Sequence, residues 1–349
     1  MRQLLSQLMY FALLIFSINL FGNLFFPVNV ADKDLSRKFE DIRSGNYDCI
    51  FLGSSRTYRH IDPQVFDSIT STTSYNCGAA STFVPETYYV FETLLDDLKT
   101  RKHDVKTIVL EIQNVDLIDP RNACTAKGNY WLNNDYLELA IRSIWQTQES
   151  KPKKVLGSLT FFLGWAVNHL GFNYLSVWSG SESPTSIYEL SGHLCLDKQV
   201  ANGIDTKSLL ERRESYLERP SVLEKRRKAW GLADSLRLSG SKEFSLAHFS
   251  KLTELAKKSE AQGIRVLFML PPRLKTYTSI VPLMEQLGGN RCIDLSSPLA
   301  YPAFWSSDFA FDIGHLNCQG VQLFSVEMAN CFMNLNNGQA DRTEVSTLQ

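Results

Sequence analysis

Three short apolar runs constrain this chain more than any other feature. Tyr47–Leu52 (YDCIFL) is closed by Gly53, Val105–Ile112 (VKTIVLEI) is β-branched and nearly continuous, and Ile264–Leu270 (IRVLFML) stops at Pro271-Pro272. Runs of this length without polar alternation predict strands buried on both faces, as in a parallel sheet. Ser74–Gly78 reads as a further short strand running into a glycine turn, and Cys292–Leu295 as another. Helices are predicted between them at Pro63–Ile69, Pro85–Thr100 and Phe249–Gln262, with a closing helix at Gln319–Leu335. Parallel strands need crossover connections, so the pattern predicts an α/β fold: a three-layer parallel sheet with helices on both faces.

Composition removes several function classes. The 349 residues suffice for a large buried core. Lys plus Arg is 36 and Asp plus Glu 37, a net charge of −1, which argues against a nucleic-acid partner because nothing is left over to neutralise phosphates. With 44 % hydrophobic residues, 12 Pro and 19 Gly, disordered and fibrous classes are excluded. A mean hydropathy of −0.15 excludes a multi-span transporter.

The N-terminus stands apart. Leu4–Phe26 carries no Asp, Glu, Lys or Arg, and its roughly 23 residues suffice to cross about 30 Å of hydrocarbon as a helix. A cleaved signal peptide is the competing reading, but its apolar region is normally shorter, and the only small-residue exit, Val28–Ala31, has Asn29 at the −3 position. An uncleaved anchor is therefore expected over 1–30, in contact with the bilayer. Arg2 on one side and Lys33, Arg37 and Lys38 on the other, diluted by Asp32 and Asp34, do not settle orientation. A linker follows over 31–45, in which Asp34–Ser44 reads as a short amphipathic helix or linker, then the α/β domain over 46–335 with a helical insertion at about 120–240, and a tail over 336–349. Within the insertion, Tyr136–Thr147 is amphipathic, Leu209–Leu238 is helical and broken by Pro220, and Leu156–Trp178 reads as a buried or interfacial helix rather than a second span. The basic runs Lys151–Lys154 and Lys225–Lys228 read as solvated faces.

The seven cysteines show no metal-ligand spacing, so neither metal nor cofactor is expected. An odd number leaves at least one thiol free. Cys49 reads as a small core residue, and Cys124 and Cys195 are candidates to pair if the domain is extracytoplasmic.

Two segments fall at the carboxyl ends of predicted strands or before the closing helix, where open α/β sheets place their sites. Gly53-Ser54-Ser55-Arg56 puts a serine hydroxyl at a helix N-terminus, where backbone N–H groups can hold an oxyanion. Taken alone, these residues are more simply a turn and an N-cap. Asp312-Ile313-Gly314-His315 places a carboxylate and an imidazole three apart, so that the carboxylate can take Nδ1–H and leave Nε2 to accept a serine proton.

The serine motif and the late Asp-x-x-His, together in one α/β chain, resemble the SGNH (GDSL-like) hydrolase superfamily over about 46–120 and 245–335. The resemblance implies that Ser55 is the nucleophile, Asp312 the orienting acid and His315 the general base. It also implies oxyanion donors in the Ser55 and Gly78 amides and in the Asn114 side chain, within Leu110-Glu111-Ile112-Gln113-Asn114-Val115-Asp116. Gly-Ser-Ser followed by a charged residue, behind an N-terminal apolar segment, is similar to the membrane-anchored envelope branch: the D-alanyl transfer protein and polysaccharide O-acetylation proteins. That likeness implies a serine acyltransferase acting on a cell-envelope glycan with an acyl donor. It further implies a single-pass protein of the cytoplasmic membrane, with a periplasmic domain and a membrane-bound O-acyltransferase as partner. An extracytoplasmic esterase or deacetylase uses the same residues, and a non-catalytic scaffold binding glycan or a partner is the reading of a different class. Arg56, Arg59 and His60 either bind an anionic acceptor or form structural ion pairs. Trp131, Trp165, Trp178 and Trp230 either line an acceptor groove over the serine or pack the insertion's own core.

Overall fold

The computed structural model describes residues 2–25, 33–100, 103–113, 120–125, 127–147, 149–169, 188–189, 191–237, 244–272 and 280–336. Its strands are β1 (Cys49–Leu52), β2 (Ser74–Asn76), β3 (Thr107–Glu111), β4 (Arg265–Leu270) and β5 (Cys292–Asp294). They form one five-stranded sheet, all parallel, in the order β2-β1-β3-β4-β5. The three long apolar runs are thus central neighbours. In chain order the helices are α1 (Arg2–Phe25), α2 (Lys33–Ser44), α3 (Ser55–His60), α4 (Pro63–Thr70), α5 (Glu86–Lys99), α6 (Gly128–Trp131) and α7 (Asn134–Gln146). They continue with α8 (Lys151–His169), α9 (Leu196–Ala201), α10 (Thr206–Leu217), α11 (Pro220–Arg237), α12 (Leu246–Glu260), α13 (Ile280–Leu287) and α14 (Cys318–Asn336).

Strand side chains alternate between two cores. Ile50, Leu52, Ile108, Leu110, Val266 and Phe268 face α2, α5 and α12, meeting Phe39, Phe91, Leu94 and Leu255. Cys49, Phe51, Val109, Leu267 and Met269 face α4 and α14, meeting Phe66, Phe324, Met328 and Phe332. Both faces are covered, which is why the strands tolerate no polar alternation. Each such Leu or Phe contributes about 1.5–3 kcal/mol relative to exposure.

The insertion divides in two. Its first part, α6 to α8, joins the first core through Trp131, Tyr136, Ala140, Ile144 and Phe161. Trp131 packs edge-on against Phe161 with centroids 6.3 Å apart, and the Trp165 indole donates to Asn134 Oδ1 at 2.9 Å. These two aromatics therefore pack the insertion and line no groove over Ser55. Trp178 and the Trp230 side chain lie outside the described residues. The second part approaches the segment before α14: Leu196 and Leu209 pack on Phe311, and Tyr216 and Leu223 on Ala310.

Cys195, at the start of α9, is joined by a disulfide to Cys318, at the start of α14. Cys124 is the candidate partner that the sequence offers for Cys195. Cys124 is instead exposed, with its Sγ against the Thr160 carbonyl. Cys49 is fully buried in the second core, and burial pushes its thiol up.

The segment expected to span a membrane is helical as α1, with Leu4, Tyr10, Leu14 and Phe21 exposed. Among the described residues, no helix is long and apolar enough to cross a membrane. α8 also carries exposed apolar residues: Val155, Leu156, Leu159, Phe162 and Leu163.

α2, in the segment read from sequence as a short amphipathic helix or linker, enters the domain with a charge. Lys38 is 2 % exposed, and its Nζ donates to the carbonyls of Asn76, Gly78 and Gly192 at 2.9, 2.7 and 2.6 Å. The ammonium also stands 4.3 Å from the Tyr58 ring centroid. A buried ammonium persists only when its donors are met, and here they tie α2 to the carboxyl end of β2. Lys38→Met keeps most of the stem but leaves buried carbonyls unpaired. Urea unfolding should show a loss of about 3 kcal/mol, and an unchanged midpoint would contradict this role.

Candidate active site

β1 ends in Gly53, and Ser54 then caps α3 by accepting the Arg56 N–H at 3.2 Å. Ser55 is the first helical residue. The cap is fixed from the neighbouring strand. Glu111, last residue of β3 and 1 % exposed, accepts from the Ser54 N–H at 2.7 Å, from Ser54 Oγ at 2.8 Å and from Thr57 Oγ1 at 2.8 Å. A carboxylate at a helix N-terminus is favoured by the dipole as well as by these donors. The same contact explains Gly53: a Cβ there would lie 2.2 Å from Thr57 Oγ1 and 2.5 Å from Glu111 Cβ.

The other half of the site is the turn before α14. Ala310 and Leu316 form an antiparallel bridge, and the Phe311 N–H donates to the His315 carbonyl at 2.9 Å. Gly314 N–H donates to Asp312 Oδ1 at 2.7 Å. Within this turn His315 Nδ1 lies 3.0 and 3.2 Å from the two Asp312 oxygens, and His315 Nε2 lies 3.0 Å from Ser55 Oγ. The residues singled out as Ser55, Asp312 and His315 are thus brought into one hydrogen-bonded chain across 260 residues of sequence. With Nδ1–H donated to Asp312, Nε2 is the acceptor for the serine proton.

The remaining sequence-derived positions are arranged differently. The Gly78 N–H, assigned by resemblance to the oxyanion, donates to Asn76 Oδ1 at 2.9 Å. Asn76 is itself buried and donates to the Thr57 and Ile61 carbonyls at 2.7 Å each, so this amide is engaged within the scaffold. A Cβ at Gly78 would lie 2.4 Å from the Tyr58 nitrogen, which shows how closely β2's exit packs on α3. Asn114 lies outside the described residues. Of the polar neighbours of the serine, His60 is structural. It is 1 % exposed, its Nε2 accepts the Leu316 N–H at 3.2 Å, and its ring meets the His315 ring edge-on at 5.9 Å. Arg59 donates to Gln199 Oε1 at 2.7 Å.

Sequence reasoning missed Glu111, Asn76 and Arg212. Arg212, from α10, donates to Asp312 Oδ2 and brings Nη2 to 3.2 Å from His315 Nδ1. Asp197 accepts the Cys318 N–H at 2.7 Å and pairs with Arg213 at 3.3 Å, beside the Cys195–Cys318 bridge. These sulfurs and Asp197 cluster as metal ligands do, but sulfurs joined in a disulfide are not thiolate donors.

Electrostatics distinguish Asp312 from His315. Burial pushes the Asp312 carboxyl up, but the hydrogen bond and charge of His315, the Gly314 amide and Arg212 together hold it well below the usual carboxylate range. His315 is lowered, chiefly by burial and further by Arg56 and Arg59, against the raising effect of Asp312. A lowered imidazole is neutral at pH 7 and becomes charged only as pH falls through its displaced pKa. In an imidazole NMR titration His315 should therefore titrate below the ordinary value of about 6.5, and Arg56→Gln should move it upward. A His315 that titrates above about 6.5 in the unsubstituted protein would contradict this balance.

No family model matches the chain, and no curated protein matches it significantly.

Proposed function

We propose that the chain is a serine-dependent acyl-transfer enzyme of the SGNH type, held at a membrane and acting on a cell-envelope glycan. The observation that carries this reading is the Ser55–His315–Asp312 chain at the carboxyl edge of a parallel sheet, with 3.0 Å between Ser55 Oγ and His315 Nε2. His315 takes the Ser55 proton as Oγ attacks the acyl carbonyl, and returns it to the leaving group. The acyl group then rests on Ser55 as an ester until an acceptor hydroxyl, deprotonated by His315, attacks it. Asp312 holds the imidazole and stabilises its charged form. The oxyanion falls to the Ser55 N–H at the start of α3, with the Gly78 amide joining only if Asn76 releases it. Transfer and hydrolysis share these steps and differ in whether a sugar hydroxyl or water takes the acyl group.

The setting supports an extracytoplasmic domain beside a bilayer. The Cys195–Cys318 disulfide suits an oxidising compartment. The apolar α1 and the exposed apolar residues of α8, preceded by Lys151, Lys153 and Lys154, suit a bilayer surface and a membrane-embedded O-acyltransferase partner. One observation favours the scaffold reading instead: Gly78 N–H is engaged by Asn76, which leaves fewer oxyanion donors than acyl transfer ordinarily uses.

The purified protein should cleave an activated acetyl ester slowly, and an envelope glycan should accelerate loss of the acyl group. Ser55→Ala should lower both by roughly a thousand-fold or more. Fast cleavage indifferent to any glycan would favour the esterase, and the absence of Ser55-dependent activity with any donor would favour the scaffold.

A further inference from the structure

The Asp312 carboxylate is shared between side chains of two segments, and only one of them belongs to the triad. His315 brings Nδ1 to 3.0 and 3.2 Å from the two carboxylate oxygens. Arg212, from α10, donates to Oδ2 through Nη2, and the same Nη2 stands 3.2 Å from His315 Nδ1. A guanidinium stays charged and accepts no hydrogen bond. Its contact with Nδ1 is therefore satisfied in one way, with the imidazole proton on Nε2, and that tautomer cannot accept from Ser55. In the tautomer that acyl transfer needs, two N–H donors crowd one carboxylate. Once His315 takes the serine proton, two cations do, and like charges at this separation repel.

The helix is held over the turn by other residues. Arg213 pairs with Asp197 at 3.3 Å, Asp197 accepts the Cys318 N–H at 2.7 Å, and the Arg213 guanidinium stands 5.0 Å from the Phe311 ring centroid. Leu209 packs on Phe311 as well. The Arg212 side chain is 47 % exposed, against 3 % for Asp312, so the guanidinium covers the carboxylate from the solvent side. A half-exposed cation contributes little to stability. Beside it, a cavity of about 470 Å³ bordered by Arg212, Ser215 and Asp312 leaves the guanidinium room to withdraw while α10 stays in place.

We infer that Arg212 is a positioning residue that restrains the triad through Asp312. In contact, it offsets the Asp312 charge and opposes the imidazolium, so His315 is a weaker base. With Arg212 turned into the cavity, Asp312 acts on the imidazole alone. The effect on Ser55 rests on the acyl-transfer reading, whereas the effect on the imidazole is measurable without it. Besides Asp312 and Arg212, the charged or titratable groups facing His315 are Arg56, Arg59 and His60, all on α3, and a change at Arg212 leaves them as they are.

The test uses the full chain in detergent micelles and reads His315 twice. The rate at which a fluorophosphonate labels Ser55 is followed from acid to alkaline pH, and the imidazole is titrated by NMR over the same range. Arg212→Met keeps the stem and removes the charge. It should raise the plateau rate about three-fold and move the His315 midpoint up by about half a pH unit, one charge effect seen in two readouts. Because the midpoint rises together with the plateau, the gain in rate should vanish at acid pH. Arg212→Gln should give the same two changes, and thermal midpoints show whether each variant is folded. The restraint is overturned if both variants label at the parent's rate or more slowly, or if the His315 midpoint stays or moves down. Ser55 labelling that is indifferent to Arg212 removes the restraint and leaves the acyl-transfer reading standing. A His315 midpoint that rises in a chain whose Ser55 never labels does the reverse.

Discussion

At the end of β3 a buried carboxylate, Glu111, takes hydrogen bonds from the Ser54 amide, the Ser54 hydroxyl and the Thr57 hydroxyl, and so fixes the first turn of α3 to the central strands. Removing a carboxylate from water costs several kcal/mol. Charge-assisted bonds of about 1.5–3 kcal/mol each, with the helix dipole added, offset that cost. The register sets up the contact: Leu52 pairs with Leu110, so Glu111 stands level with the Gly53 turn. A shift of one residue would turn the carboxylate to the other face of the sheet. Ser55 takes its position from this clamp, and the bond to His315 depends on it.

The turn that carries the imidazole has anchors both on α3 and away from it. His60, in the last turn of α3, accepts the Leu316 N–H, and burial keeps its own ring well below the ordinary histidine range and hence neutral. Two residues further on, Cys318 is bonded to Cys195, and its amide to Asp197. The serine and the histidine therefore sit on segments joined through α3, the second also held by the disulfide and Asp197. Such pre-organisation is what a general base requires, because its geometry must be in place before its pKa matters.

The architecture was largely legible from sequence, because strands covered on both faces leave continuous apolar runs and helices leave a 3.6-residue stripe. Ser55, Asp312 and His315 were legible as chemistry because each stands in a short local motif whose spacing has a physical meaning. What escaped depends on pairing between distant segments. Glu111 is locally only the polar end of an apolar strand, and its contacts follow from the register between β1 and β3. Asn76 sits in a two-residue relation to Gly78, but its hold on that amide depends on where α3 lies. Arg212 is one cation in a charge-rich helix with little apolar periodicity, and nothing local marks it as the one that turns inward. Cys195 and Cys318 are 123 residues apart, so composition alone could not favour that pair. The aromatics of the insertion left two placements open in the sequence, and Trp131 takes the core beside α8 because a buried indole contributes more there than at an open rim.

The central claim is that Ser55 is a nucleophile activated by His315. The most direct measurement is reaction of the full chain with a fluorophosphonate probe, followed by mass spectrometry of the digested protein. A single adduct on Ser55, formed far more slowly after His315→Ala, is the predicted result. Labelling spread over other serines, or labelling of Ser55 at the same rate without His315, would contradict it.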